Sequence, residues 1–101
     1  MLNPNPMAQT DRKKTDYGAL HSPFMRVPRM SVRAARALLD AGVRDLFELP
    51  GRSAESLLDD LRAARPGGAE PDLLPYFRLA IYYAEKGTDA EAAKLHPTAW
   101  Q

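Results

Sequence analysis

The chain has 101 residues, is 45% hydrophobic, and sets fourteen basic groups against thirteen acidic ones for a net charge of +1. That length holds one small domain around a single modest core. With no cysteine, disulfides, a thiol nucleophile and thiolate metal sites are excluded. No run approaches the ~18 apolar residues of a membrane span, and the start lacks the apolar stretch of a secretory signal, which points to a cytoplasmic protein.

Charge is unevenly distributed. Residues 1–36 carry seven basic groups (Arg12, Lys13, Lys14, Arg26, Arg29, Arg33, Arg36) and two acidic ones (Asp11, Asp16), whereas residues 37–101 carry seven basic and eleven acidic groups. Such asymmetry marks a basic contact surface at one end, or simply a solvated charge mix.

In chain order, residues 1–15 include Asn3-Pro4-Asn5-Pro6 and Asp11-Arg12-Lys13-Lys14 and have no apolar period, so they read as a flexible arm. Residues 16–101 form the domain. Ser22-Pro23 suits the cap and first residue of a one- or two-turn helix through Met25. Pro28 removes a donor and holds Val27 out of the α region, so an incoming helix stops there. Ser31 caps a second helix over about 31–41, with Val32, Ala35, Leu38 and Leu39 on one face and Arg33, Arg36 and Asp40 on the other. Gly42 suits its left-handed end. The stretch Val43 to Leu49 buries Val43, Leu46 and one of Phe47 or Leu49, and Pro50-Gly51 breaks the chain.

Ser53 caps a third helix over about 54–64, striped by Ala54, Leu57, Leu58 and Leu61. Arg65-Pro66-Gly67-Gly68 is a loop. The longest apolar period, Leu73, Leu74, Phe77, Ala80, Ile81 and Ala84, predicts a fourth helix with Asp72 and Pro75 in its first turn and Gly87 at its end. Thr88-Asp89-Ala90-Glu91 matches a capping box that opens a short last helix to about Leu95, where His96-Pro97 stops it. The pattern contains no strand and no repeat of fixed period. It predicts an all-α bundle of four to five short helices, with a core of Val32, Ala35, Leu38, Leu39, Val43, Leu46, Leu57, Leu58, Leu61, Leu74, Phe77, Ala80, Ile81 and Ala84.

Three stretches carry a resemblance: Val27 to Val43; Leu46-Phe47-Glu48-Leu49-Pro50-Gly51-Arg52-Ser53-Ala54-Glu55-Ser56-Leu57; and Tyr76-Phe77-Arg78-Leu79-Ala80-Ile81-Tyr82-Tyr83-Ala84. Their order and spacing resemble the small bacterial "pathogenicity locus" family, which has a helix-hairpin-helix fold. The resemblance covers about residues 20–100 and implies a helix-hairpin-helix unit at about 22–43. It also implies that the hairpin holds a nucleic-acid phosphate without reading sequence. In that fold a Gly-apolar-Gly turn lets backbone N–H groups approach the phosphate at a helix N-terminus. Arg29-Met30-Ser31 stands in its place here, so side chains replace open backbone.

Two functions therefore stay open. In the first, Arg29, Ser31, Arg33 and Arg36, with Lys13 and Lys14 on the arm, contact the phosphate backbone of DNA. In the second, the chain is an accessory subunit or adaptor that docks on a larger protein, its arm extended along the partner, with Tyr17, Phe24, Tyr82 or Trp100 as anchors. Trp100 also suits packing back onto the domain.

Chemistry is not expected. His21 and His96 have no carboxylate or second histidine at ligand spacing. Asp59-Asp60 and the Asp40/Asp45 pair sit on helix surfaces or at a helix end rather than in a cleft. Ser31, Ser53 and Thr88 read as caps. No cofactor, metal or nucleophile–base constellation is indicated.

Overall fold

The Asp16 carboxylate accepts a hydrogen bond from the Ala19 N–H at 3.0 Å and caps α1, Tyr17–Leu20. The computed structural model describes residues 15–101. The expected arm therefore lies outside the described residues, apart from Thr15, and Lys13 and Lys14 lie outside with it. Ser22 does not cap the next turn. Its hydroxyl instead donates to the Ala19 carbonyl at 2.7 Å, tying the end of α1 to the 3-10 turn Pro23–Arg26. That turn ends at Val27, whose extended backbone (ψ 125°) is the conformation a following proline imposes.

Helix α2, Val32–Asp40, begins where the Ser31 hydroxyl accepts from the Ala34 N–H at 3.0 Å. Gly42 ends it at φ 97°, with Gly42 N–H on the Leu39 carbonyl and Val43 N–H on the Leu38 carbonyl, each at 3.0 Å. This double closure requires a left-handed residue, which glycine adopts without a Cβ clash. A 3-10 turn at Leu46–Glu48 leads to α3, Ala54–Ala64, capped by Ser53. A further 3-10 turn, Pro71–Leu73, runs straight into α4, Leu74–Lys86.

The expected capping box and last helix do not form. Residues after α4 make three separate 3-10 turns, Gly87–Asp89, Ala92–Lys94 and Pro97–Trp100. The Glu91 N–H, which the box would have placed inside a helix, is held at 2.8 Å by the Tyr82 hydroxyl. A tertiary hydrogen bond thus overrides a local motif. The result is an all-α bundle of four helices with no strand among the described residues.

Helix α2 is central, packed against α1, α3 and α4. Its buried residues are Ala34, Ala35, Ala37 and Leu38, so it is covered on more than one side. Three alanines make that possible, because short side chains let neighbouring backbones approach. The single-face reading of α2 fails for the same reason: Val32 and Leu39 are half-buried at the rim. Leu46, Leu74 and Ala84 are also rim residues. The other nine expected core residues are buried, joined by Ala19, Phe24, Val27, Met30, Leu49, Leu73 and Leu79 among others. Of the two candidates before Pro50, Leu49 is buried and Phe47 is 77% exposed. Among the described residues no polar or charged residue is buried.

Candidate nucleic-acid interface

The chain builds the same hairpin twice. In the first, the Val27 carbonyl accepts from the Met30 N–H at 3.2 Å around Pro28-Arg29, and Ser31 caps α2. In the second, the Leu49 carbonyl accepts from the Arg52 N–H at 2.9 Å around Pro50-Gly51, and Ser53 caps α3 by accepting from the Ser56 N–H at 3.1 Å. A 3-10 turn precedes each. Proline followed by a residue of positive φ is the type II turn pattern, met here by Arg29 (φ 61°) and Gly51 (φ 84°).

The sequence did carry this repeat, as Val27-Pro28-Arg29-Met30-Ser31 against Leu49-Pro50-Gly51-Arg52-Ser53. It is not a periodic array, so a search for fixed periods passes over it. Hairpin two keeps the glycine that hairpin one lacks. A Cβ built on Gly51 would meet nothing within 4 Å, so the backbone there is open.

The basic residues of hairpin one are arranged unequally. Arg29 is exposed, and its Nη1 donates to the Leu95 carbonyl at 3.2 Å. The Ser31 oxygen is engaged as the α2 cap. Arg33 bridges Glu70 at 2.9 Å and Asp72 at 2.6 Å, with its own side chain 48% exposed and both acids more exposed still. Pairs so open to water contribute about 0–1 kcal/mol, so exchanging these carboxylates for a phosphate costs little.

Arg36 is different. Its Nε and Nη2 donate to the two oxygens of Asp16, each at 2.7 Å, and its Nη1 reaches Asp40 at 3.4 Å. Asp40 is in turn ion-paired with Arg65, whose Nε lies 3.0 Å from Asp40 Oδ2. Asp16 is the α1 cap and Arg65 closes α3, so Arg36 joins three helices through a bidentate pair. Its geometry is that of a structural tie. Hairpin two has Arg52, which is paired with Asp60 at 2.7 Å and reaches Ser56 at 3.2 Å. Arg26 precedes hairpin one and has no acidic partner among the described residues.

The Arg36 hydrogen bonds hold the Asp16 carboxyl well below the usual carboxylate range, helped by the Ala19 N–H and opposed by partial burial. A depressed folded-state pKa contributes stability that is present above the unfolded value, about 3.9 for Asp, and lost as pH falls. The melting temperature is therefore expected to fall as pH drops below about 4. Asp16→Asn keeps a capping side chain but removes the charge, so its melting temperature should fall less over the same range. Parallel pH profiles for the two proteins would overturn the assignment.

Of the aromatic anchors, Phe24 is fully buried and Tyr82 is 8% exposed. Both are corrected to packing residues, because neither presents a face to a partner. Trp100 is half-buried. Its ring lies 5.2 Å from Tyr82, its Nε1 donates to the Lys94 carbonyl at 2.8 Å, and its own carbonyl accepts from Arg78 at 3.0 Å. Tyr17 is 65% exposed and stacks on His21 with ring centroids 6.0 Å apart.

Among the described residues no group of three or more His, Cys, Asp or Glu side chains is placed to hold a metal, and no helix is long and apolar enough to cross a membrane. The chain matches no protein-family model, and neither a curated protein nor a solved structure shows significant similarity to it.

Proposed function

We propose that this chain is a non-enzymatic module that grips nucleic-acid backbone, without reading base sequence, through its tandem hairpins. The observation that carries the reading is at hairpin two, where the Gly51 N–H already binds an oxyanion, the Glu85 carboxylate, at 2.9 Å. An amide that holds a carboxylate oxygen is equally suited to a phosphate oxygen. At hairpin one, exposed Arg29 and recruitable Arg33 supply charge. Arg36 is left out of the contact set because it ties α1 to α2. The helix-hairpin-helix resemblance supports the same reading.

The test is an anisotropy titration of a labelled duplex oligonucleotide from low to moderate salt. Each phosphate contact contributes roughly 0.9 to the slope of log K against log salt. The Arg29→Ala/Arg33→Ala double variant should therefore lose roughly 1.8 of slope. Absence of binding at micromolar protein, or an unchanged slope in the double variant, sinks the proposal.

A second reading, docking on a larger protein, is favoured by Phe47 and Tyr17, the two most exposed large apolar side chains among the described residues. It becomes the preferred one if the oligonucleotide does not bind.

A further inference from the structure

Glu85 lies in the last turn of α4, far in sequence from hairpin two, yet its Oε2 sits 2.9 Å from the Gly51 nitrogen. Nothing structural demands the contact. Both residues are exposed, the turn is already closed by the hydrogen bond between Leu49 and Arg52, and the Gly51 backbone is open on the side where a Cβ would stand. The carboxylate thus satisfies a donor that water would otherwise satisfy. It also places a negative charge on the turn that an incoming phosphate would have to approach. No carboxylate among the described residues accepts from the backbone N–H of Arg29 or Met30, so hairpin one is not covered in this way.

We propose that Glu85 is a built-in competitor for hairpin two: an autoinhibitory contact in which its carboxylate occupies the position a phosphate oxygen takes when the hairpin engages nucleic-acid backbone. The inference rests on the nucleic-acid reading given above and adds its regulation. The contact is solvent-exposed and made by a single hydrogen bond, so it is readily reversible. It acts as a threshold. A backbone that presents one phosphate to hairpin one gains only Arg29 and Arg33. A backbone that spans both hairpins also has to displace Glu85.

Two measurements decide the matter separately. In the oligonucleotide titration, Glu85→Ala should bind roughly fivefold tighter than the parent, the net size of one typical hydrogen bond weakened by solvent exposure. Glu85→Gln keeps an acceptor but loses the charge, and should fall between them. Asp59→Asn removes the same charge from the exposed face of α3 and should change affinity less than twofold. A gain for Asp59→Asn equal to that for Glu85→Ala overturns the contact in favour of general electrostatics.

The second measurement uses inorganic phosphate alone, read by the Gly51 amide resonance in a proton–nitrogen correlation spectrum. Phosphate should move that resonance in Glu85→Ala at concentrations that leave the parent unchanged. An equal response in both proteins, or none in the variant, refutes the competitor role even if the oligonucleotide binds. Loss of oligonucleotide binding alone, with the phosphate response intact, counts against the nucleic-acid reading and leaves the Glu85–Gly51 competition standing.

Discussion

Phe24→Ala is expected to lower the unfolding free energy by about 3–5 kcal/mol, the cost of emptying a fully enclosed phenyl site. Phe24 has no exposed surface and lies in the 3-10 turn that packs against α1 and α2. Against a typical total of about 5–15 kcal/mol, such a loss brings a domain this small close to its limit. Urea denaturation followed by circular dichroism measures it directly. The result distinguishes two roles for the residue, because an interface anchor would leave the isolated protein's stability nearly unchanged. A variant whose midpoint matches the parent's would place Phe24 at the surface, contrary to the structure.

Phe77→Ala should cost a similar amount, about 3–5 kcal/mol, by a different route. Phe77 is fully buried in the first half of α4, the helix that packs on α2 and α3. Its loss weakens the contact that holds the second half of the chain on the first. Phe77→Leu retains most of the apolar volume and should cost less than about 1.5 kcal/mol. The graded pair separates cavity formation from unfolding of α4, since a leucine as damaging as alanine would point to a requirement for the ring itself.

Much of this architecture was legible in local chemistry. Ser31 and Ser53 cap where expected, Gly42 closes α2, and the α3 stripe is buried at Ala54, Leu57, Leu58 and Leu61. These features depend on neighbours within one turn, which sequence displays directly. The misses depend on distant parts of the chain. Periodicity assigned α2 a single buried face, but Ala34 and Ala37 are buried as well, because α2 packs against α1, α3 and α4 together. The Thr88-to-Glu91 box was displaced by the Tyr82 hydroxyl, and nothing local announces that competitor.

The candidate site divides in the same way. Arg33 and Arg36 look equivalent on one helical face, yet Arg36 meets Asp16 from α1 while Arg33 meets exposed acids beyond α3. Gly51 and Glu85 have no pattern linking them. Their pairing is visible only once α4 lies beside the second hairpin. The hairpin repeat, by contrast, was written in the order apolar, proline, two residues, serine, and aligning the chain against itself at unequal spacing would have found it.

The last turn, Pro97–Trp100, has one further consequence. The chain contains a single tryptophan, and that indole rests against Tyr82 of α4. Light emission from this protein is therefore a local signal. With excitation near the tyrosine band, the nearby indole should drain the Tyr82 emission, and detachment of the terminal turn should restore it. The C-terminal residues form no α-helix and are mostly exposed, so, although Pro97–Trp100 packs along α4, they are expected to open before the helices. Heating should then produce two non-coincident curves: an early optical change at Trp100, followed by the loss of helical ellipticity as the bundle melts.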